Sequence, residues 1–438
     1  MGIIVAKFGG TSLADSYQFE KVKRIIESDP DRKYVVPSAP GKRFDSDNKV
    51  TDLLYLCKTH IEHNVPFDQV FQVICDRYIS IAFNLKLSID LQPHFNEIKA
   101  KIINGASKDY IASRGEYLNG LLLAEYLGYT FVDAKDVILF DSKGRFLEEE
   151  TDDALGNVLL KCEKAVIPGF YGAMPDGSIR TFSRGGSDIT GALVAKALKA
   201  DVYENWTDVS GFLMADPRIV KNPLPIKVIT YKELRELSYM GASVLHEDAV
   251  FPVRQANIPI NIKNTNEPDN PGTVIVSNLE KQDEHVITGI AGKKDFTVIA
   301  IYKNRMNSEI GFMRKLLSIL EDYNISIEHL PSGIDTLSAV ISNNSINGKL
   351  EDVLDEIDKR LKPDTVDVLS DMALIATVGY GMSQRRGVAA KLFTALSEAG
   401  VNIRMIDQGS SEINIITGVE NNDFEKAIMA IYNAFVNE

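Results

Sequence analysis

The sequence predicts an α/β protein with an open, mainly parallel sheet sandwiched by helices, followed by two small α+β modules. Short β-branched runs alternate with segments of helical period over roughly the first 270 residues. Glycine-rich turns follow one predicted strand and precede one predicted helix. The rest of the chain repeats itself at a constant offset, which is typical of two similar modules.

The first part of the chain supplies the sheet and its helices. The predicted strands are residues 3–8, 33–36, 131–133, 165–168 and 202–204, and the clearest helices are residues 17–27, 187–198 and 231–237. Residues 37–49 are rich in proline, glycine and mixed charges, which predicts a mobile loop. Turn residues at 264–272 precede a last short strand, and we place a domain boundary at residues 277–284.

The remainder carries an internal repeat with an offset of 76 residues. The register aligns Met306 with Met382, Gly311 with Gly387, Lys315 with Lys391, Leu316 with Leu392, Leu320 with Leu396 and Ile327 with Ile403. Each copy reads strand, glycine loop, amphipathic helix and strand. Modules of roughly 70 residues bury little surface alone, so we expect the two to pack together. An exchange of strands between them is left open. The predicted domains are residues 1–280, 285–370 and 371–438.

Composition excludes several classes of protein. Hydrophobic residues make up 45% of the 438 residues and charged residues 25%, which indicates a globular chain. The net charge is −13 and no Lys/Arg block is dense enough to follow a phosphate backbone, so we expect no nucleic-acid partner.

Sequence features also bear on location. The three cysteines lie far apart without a CxxC pair, which is typical of reduced thiols in the cytoplasm. The opening apolar run is too short for an export signal, and no run approaches the ~20 residues of a membrane span. We therefore expect a cytoplasmic protein that does not cross a membrane.

The first strand ends in an unusual turn, KFGGTS from Lys7 onward. Amides of adjacent glycines are not covered by Cβ atoms, so phosphate oxygens can approach closely, and Lys7 adds a fixed positive charge. The alternative is an ordinary strand-to-helix turn, capped by Ser12 or Asp15, with Lys7 solvated. The spacing matches neither of the common glycine-rich phosphate loops.

A second glycine-rich turn, FSRGGSD at residues 182–188, precedes a predicted helix. Free amides at the positive end of a helix bind anions, and Ser187 or Asp188 is the expected cap. If Asp188 were only a helix cap, the position of Arg184 next to two glycines would have no explanation. We therefore expect functional roles for Arg184 and Asp188.

Three more polar stretches are candidates for the same site. NWTDVSG at 205–211 follows a predicted strand, and DPR at 216–218 closes the next loop. Ligands of open α/β sheets bind at the carboxyl ends of the strands. RGE at 114–116 introduces a predicted apolar helix, where Glu116 has either a functional role or only a favourable interaction with the helix dipole.

Taken together, these motifs resemble those of the aspartate kinases in the amino acid kinase family. The matching runs are KFGGTS at 7, RGE at 114, PGFYG at 168, FSRGGSD at 182, NWTDV at 205, ADPR at 215 and VLH at 244. The repeat resembles the paired, ferredoxin-like ACT modules of those enzymes, so the resemblance covers nearly the whole chain. It implies phosphoryl transfer from MgATP to the side chain of L-aspartate, giving 4-phospho-L-aspartate, the first step of lysine, threonine and methionine biosynthesis.

The resemblance also assigns roles to individual residues. Lys7 stabilises charge on the transferring phosphoryl group, and Asp188 holds Lys7. Arg184 binds the α-carboxylate of aspartate and Glu116 its α-ammonium group. The aspartate side includes Ser38, Thr51, Gly185, Gly186 and Ser187; the ATP side includes Lys7, Gly9, Gly10, Thr11, Thr207, Asp208, Leu213, Arg218 and Ser243. Mg²⁺ is expected mostly on the phosphates, without a dedicated protein metal site.

This chain departs from the family pattern at two positions. Leu213 replaces a tyrosine, and Ser243 replaces a lysine expected near the nucleotide phosphates, a contact that Lys263 or another lysine would then supply. One alternative function is therefore a catalytically decayed amino-acid sensor. The second alternative is a sibling kinase acting on glutamate, a carbamate or a nucleotide monophosphate, which the paired repeats and RGGSD disfavour.

The resemblance further implies feedback regulation through the repeat. ACT modules of this family bind lysine or threonine, or both, between modules of a homodimer or a dimer of dimers. The residues expected at this allosteric site are Met306, Ser308, Gly311, Phe312, Ser332, Asp335 and Thr336.

Overall fold

The structure is a computed structural model in which the chain forms two compact units. The first comprises Met1–Phe212, Pro225–Tyr231 and Val244–Leu279, and the second comprises Leu213–Leu224, Lys232–Ser243 and Glu280–Glu438. The description covers all residues except Met1, Arg184, Ser243, Val244, His246, 280–284 and 437–438, and it excludes the side chains of 247–250 and Gln384.

The first unit is built on an eight-stranded sheet. Its strands are β1 Ile4–Phe8, β2 Arg32–Pro37, β3 Thr130–Phe131, β4 Ala165–Val166, β7 Val202–Thr207, β8 Val228–Thr230, β9 Ile260–Asn264 and β10 Thr273–Val276, and a separate hairpin consists of β5 Tyr171–Ala173 and β6 Ile179–Thr181. The order is β3-β4-β2-β1-β7-β9-β10-β8, and within this sheet only the pair β9–β10 is antiparallel. The predicted mainly parallel sheet is confirmed.

Helices cover both faces of this sheet. In chain order the helices of this part of the chain are α1 Ser16–Glu27, α2 Val50–Glu62, α3 Asp68–Asn84, α4 Gln92–Ile103, α5 Lys108–Leu127, α6 Glu148–Leu159, α7 Gly186–Ala197, α8 Tyr231–Tyr239 and α9 Glu247–Gln255. Helix α8 lies almost wholly in the second unit, and the other helices belong to the first. Strand β7 shows the two faces. Tyr203 donates from its hydroxyl to the Asp188 carbonyl on α7, whereas Glu204 pairs with Arg32, which also binds the Ile25 carbonyl on α1.

The sequence placed one helix start wrongly. RGE was expected to introduce a helix, but α5 begins at Lys108, so Glu116 lies in the middle of a 20-residue helix. Every residue from Tyr110 to Glu116 is buried. A helix buried on all sides has no polar face, and the amphipathic period that predicts a helix is therefore absent.

The second unit contains a five-stranded antiparallel sheet in the order β12-β11-β13-β15-β14. The strands are β11 Gly289–Tyr302, β12 Thr336–Ser342, β13 Thr365–Val378, β14 Met405–Asp407 and β15 Asn414–Glu420, and the helices are α10 Phe312–Asp322, α11 Asn343–Ile346, α12 Leu350–Leu361, α13 Val388–Glu398 and α14 Phe424–Val436. Both β11 and β13 have 14 residues and pair over most of their length. One sheet therefore runs through both modules.

The repeat has a clear physical basis. Gly311 and Gly387 hold the N-cap positions of α10 and α13 with φ of 81° and 88°, a left-handed conformation that glycine adopts without strain. The shared leucines are core residues: Leu316, Leu320, Leu392 and Leu396 are at most 1% exposed.

Helix α8 packs within the second unit although its sequence precedes the predicted boundary. The buried Glu233 accepts hydrogen bonds from the Thr288 hydroxyl at 2.6 Å and from the Tyr380 amide at 2.7 Å. Asn414 donates to Glu236 at 2.6 Å. The helix is thus bound to the second unit through two glutamates about one turn apart.

Two further expectations concern cysteines and membranes. Cys57 and Cys75 are buried, Cys162 is half-buried, and all three are free thiols. Within the described part of the chain, no helix combines the length and apolar character that crossing a bilayer requires.

Candidate active site

Lys7 and Asp188 form the centre of the candidate site. Strand β1 lies between β2 and β7, and Lys7 on β1 is in register with Asn205 on β7. Lys7 Nζ lies 2.5 Å from Asp188 Oδ1, and Asn205 Nδ2 donates to the same oxygen at 2.8 Å. The Lys7 side chain is only 9% exposed. The ammonium group is therefore held at one position rather than solvated, contrary to the alternative interpretation of the turn.

Helix α7 places Asp188. Its N-cap is Gly185, with φ of 59° and without a side-chain cap, so neither Ser187 nor Asp188 caps the helix as expected. Asp188 lies instead in the first turn and points toward Lys7. A Cβ on Gly191 would lie 2.7 Å from the Tyr203 ring, so this glycine allows α7 to approach β7 closely. The positive end of α7 thereby lies beside Lys7.

The PGF segment after β4 packs against the same helix turn. A Cβ on Gly169 would lie 2.6 Å from the Ser187 side chain, and one on Gly186 would lie 2.5 Å from the Phe170 ring. Phe170 has φ of 82°, and its amide donates to Thr190 Oγ1 at 3.1 Å. Phe170 thus packs at the start of α7.

The turn after β1 differs in one respect from the sequence prediction. Gly9 donates its amide to the Trp206 carbonyl at 2.9 Å, so that N–H is engaged in strand pairing and is not free for a phosphate. Gly10 has close neighbours: a Cβ there would lie 2.9 Å from the Ala39 carbonyl oxygen. Asp15, one of the two proposed caps, caps α1 by accepting from the Gln18 amide at 2.9 Å.

A buried carboxyl group lies at the end of β2. Glu116 Oε1 accepts from the Ala39 amide at 3.2 Å, whereas Oε2 is buried without a hydrogen-bond partner. Burial raises the pKa of Glu116 to about 7. Asn119, one turn later on α5, donates to the Ser38 carbonyl at 2.6 Å, and its own Oδ1 is also buried without a partner. Two unsatisfied acceptors beside one loop favour a ligand that donates hydrogen bonds.

The other residues of the predicted aspartate side flank this loop. Ser38 donates its amide to the Phe8 carbonyl at 3.0 Å, directly after β2. Thr51 is the second residue of α2, whose first residue, Val50, donates its amide to the Pro40 carbonyl at 3.2 Å. The loop between Ser38 and Thr51 therefore begins and ends near the carboxyl ends of β1 and β2.

The residues predicted on the ATP side are only partly brought together. Thr207 ends β7, and its hydroxyl donates to Asp208 Oδ1 at 3.2 Å. Leu213 and Arg218 belong to the second unit, where the exposed Arg218 donates to Asp216 at 2.6 Å. Arg184 and Ser243 lie outside the described residues.

Lys263 does not replace the lysine missing at position 243. It is in register with Trp206 on β7 and lies 5.1 Å from the centre of that indole ring. Trp206 alternates with Asn205 along the strand, so Lys263 lies on the face of the sheet opposite Lys7. The prediction that Lys263 supplies the phosphate contact of the lysine missing at position 243 is therefore wrong.

Two site residues were not singled out from the sequence. Asn205 stands in the NWTDV run but its role in holding Asp188 depends on strand register, which sequence alone does not supply. Asn119 occupies a position inside a helix with no recognisable motif around it.

In the first C-terminal module, the predicted effector residues divide into two groups. Met306 and Phe312 are 3% and 2% exposed and belong to the hydrophobic core, so their side chains do not line a pocket as expected. Asp335 Oδ1 accepts from the Arg305 amide at 2.8 Å, and the Asn307 amide donates to the Ile334 carbonyl at 3.1 Å. Ser308, Gly311, Ser332 and Thr336 lie on the loops so joined or at their ends.

Comparisons with known proteins agree with this architecture. Residues 2–264 match the amino acid kinase family, and residues 375–435 match the ACT domain. The chain is 39% identical to aspartokinase 3 of Bacillus subtilis, over 98% of both chains. It is 30% identical to the chloroplastic aspartokinase 3 of Arabidopsis thaliana, over 98% of this chain and 81% of that one.

Solved structures give the same result. An aspartate kinase of Clostridium acetobutylicum superposes with a TM-score of 0.93 at 57% identity, over 99% of this chain and all of that one. E. coli aspartokinase III in complex with aspartate and ADP superposes with a TM-score of 0.74 at 25% identity, over the full length of both. The same enzyme with lysine and aspartate gives 0.77 at 25%, over 99% of both.

Proposed function

Because this chain belongs to the aspartokinases of the amino acid kinase family, we propose that it transfers the γ-phosphoryl group of ATP to the side-chain carboxylate of L-aspartate. The products are 4-phospho-L-aspartate and ADP. The observation that carries the proposal is the buried Lys7–Asp188 pair at the positive end of α7.

The reaction requires positioning and charge neutralisation rather than a protein nucleophile. A carboxylate oxygen of aspartate attacks the γ-phosphorus in line, the bond to the β-phosphate oxygen breaks, and ADP leaves with the electron pair. Lys7 stabilises the negative charge of the transferring group. Asp188 and Asn205 keep the Lys7 ammonium in place during this step.

The aspartate substrate is bound by its α-groups in this proposal. Glu116 receives the α-ammonium group, which supplies the partner that Oε2 lacks. Arg184 binds the α-carboxylate through two parallel hydrogen bonds, a geometry that guanidinium favours. Ser38, Thr51, Gly185, Gly186 and Ser187 complete this side.

ATP lies with its phosphates near Lys7, Gly10, Thr11 and the first turn of α7, where helix amides and a cation favour anions. Thr207 and Asp208 at the end of β7 contribute to the nucleotide side. The roles of Leu213, Arg218 and Ser243 depend on the family resemblance alone. Mg²⁺ arrives with the nucleotide and is held mostly by its phosphates; among the described residues, no group of three or more His, Cys, Asp or Glu side chains is arranged to hold a metal ion.

The C-terminal modules regulate this activity in our proposal. An amino-acid effector, lysine or threonine, binds at the loops around Ser308 and Asp335; the E. coli relative has been solved with lysine. The neighbouring apolar residues Ile310, Met313, Leu317 and Ile334 are between 42% and 98% exposed, which supports a homodimer through this surface. The proposal assigns catalysis to residues 1–280 and regulation to residues 285–370 and 371–438, with the difference that Leu213–Leu224 and Lys232–Ser243 pack in the second unit. It also assigns a cytoplasmic location, where ATP is available.

A coupled assay of ADP release tests the proposed function. Purified protein receives MgATP and, in turn, aspartate, glutamate and other amino acids. We expect turnover with aspartate alone and its inhibition by lysine or threonine. ADP release with none of the amino acids would instead support the catalytically decayed sensor, and preference for another acid would support a sibling kinase.

A further inference from the structure

The segment between β2 and α2, residues 38–49, is anchored by one buried arginine. Arg77 lies on α3, and its side chain is 4% exposed. Its Nη2 donates to both oxygens of Asp47, at 2.9 and 2.8 Å. The predicted mobile loop is therefore bound to a helix that follows it in sequence.

The other guanidinium nitrogen of Arg77 reaches two backbone carbonyls. Nη1 donates to the Gly41 carbonyl at 3.1 Å, within the 38–49 loop, and to the Ala14 carbonyl at 3.3 Å, just after the KFGGTS turn. A single planar side chain thus joins both segments, a task for which the several fixed donors of a guanidinium are well suited.

The two segments also touch directly. Gly41 donates its amide to the Gly10 carbonyl at 2.7 Å. A Cβ on Gly41 would lie 2.6 Å from the Gly10 carbonyl carbon and 2.7 Å from the Thr11 nitrogen, so the backbones are as close as glycine allows. Movement of the loop would therefore displace the turn that carries Gly10 and Thr11.

The ends of the loop carry residues of the proposed aspartate side. Ser38 begins it, Ala39 donates its amide to Glu116, and Thr51 follows it on α2. None of these residues contacts Arg77 through a described hydrogen bond. The influence of Arg77 on the substrate would act through the loop backbone.

We propose that Arg77 is a positioning residue for phosphoryl transfer, which holds the 38–49 loop against the glycine turn and thereby fixes the aspartate subsite. This inference rests on the proposed function. It concerns a side chain that belongs to no recognised motif, and it assigns a role to a contact between α3 and two loops of the site. Displacements of about 1 Å at such a subsite can reduce rates by about 100-fold.

Arg43 provides a matched control. It also binds Asp47, at 2.8 and 3.0 Å, but its side chain is 40% exposed and makes no described contact with Ala14 or Gly41. Arg43→Met therefore removes one partner of Asp47 and leaves the backbone anchors intact. Arg77→Met removes the same type of partner together with both anchors.

The test compares kcat and the KM values for aspartate and ATP in the full-length wild type and both variants. For Arg77→Met we expect KM for aspartate to rise at least about tenfold, at an unchanged circular dichroism spectrum. KM for ATP should also rise, because the loop holds the turn that carries Gly10 and Thr11. For Arg43→Met we expect both KM values within about twofold of wild type.

Several outcomes would overturn the inference. A folded Arg77→Met enzyme with unchanged KM for aspartate, or an equal increase in Arg43→Met, would show that the backbone anchors do not set the subsite. If Arg77→Met does not fold, Arg77→Lys replaces it, because it keeps the charge but loses the planar fork; unchanged KM values in this variant would again contradict us. Wild-type protein without aspartate-dependent turnover would refute the proposed function instead.

Discussion

Asp188 accepts from Asn205 with the same carboxylate oxygen that lies 2.5 Å from Lys7 Nζ. The two residues that hold this oxygen, Lys7 and Asn205, stand opposite each other on adjacent strands. The position of the Lys7 ammonium is therefore set by sheet register and by the first turn of α7. A cation fixed in this way needs no reorganisation when negative charge develops on the transferring phosphoryl group beside it.

Neutralising Asp188 should slow the reaction. Asp188→Asn keeps the shape of the side chain but weakens its hold on Lys7, because hydrogen bonds between charged groups are roughly twice as strong as neutral ones. We expect kcat to fall about 10- to 100-fold. The control is Asp176→Asn, an exposed carboxyl group that binds Ser178 in a hairpin turn. A kcat for Asp188→Asn equal to that of the control would remove Asp188 from the mechanism.

Glu116 should make aspartate binding depend on pH. Burial raises its pKa to about 7, so below pH 7 the protein without substrate carries a neutral carboxyl group that cannot pair with an ammonium ion. We expect kcat/KM for aspartate to rise with pH up to about 7 and then to level off. In Glu116→Gln the value should stay near the low-pH value of the wild type at every pH and show no rise. An identical pH profile in both proteins would contradict the assignment.

The same group should influence stability. Because the folded-state pKa of Glu116 lies above that of a free glutamate, the native protein binds more protons than the unfolded chain between pH 4.5 and 7. Its stability should therefore fall by about 3 kcal/mol as pH rises through that window, relative to Glu116→Gln. Urea unfolding of both proteins at pH 5 and pH 8, without aspartate, measures this difference. An equal difference at both pH values would show that burial does not shift this pKa.

Gly191 should be intolerant of a side chain. A Cβ there would lie 2.7 Å from the Tyr203 ring, so Gly191→Ala should push α7 from the sheet and displace Asp188. We expect a loss of about 1–3 kcal/mol in unfolding free energy, together with lower kcat. Gly156→Ala in α6 is the control, since its Cβ would have only the Ala197 carbonyl within 4 Å, at 3.9 Å. That variant should be as stable as wild type or up to about 1 kcal/mol more stable; similar losses in both would contradict the packing argument.

The sequence alone predicts the site residues that stand in short recognisable motifs. The KFGGTS and RGGSD turns pointed to Lys7 and Asp188, and the structure brings these two together. The sequence predictions were wrong for residues whose environment is set by contacts between distant parts of the chain. Gly9 uses its amide to pair with Trp206, and Met306 and Phe312 fill a core, because neither strand register nor the depth of a loop is encoded in neighbouring residues.

Another set of failures has the same origin. The start of α5 was missed because all sides of that segment are buried, which removes the polar face that marks a helix. The sequence gives no signal for Arg77, because its partners Ala14, Gly41 and Asp47 are distant in sequence. Side chains that join separate segments become visible only once the fold is known.

The most direct test of the account is the rate of phosphoryl transfer in Lys7→Met. At saturating MgATP and aspartate, loss of one preorganised cation should lower kcat by at least ~100-fold, while the protein remains folded by circular dichroism. A variant that keeps more than about a tenth of the wild-type kcat would show that the charge on the transferring phosphoryl group is neutralised elsewhere, and the central claim would be wrong.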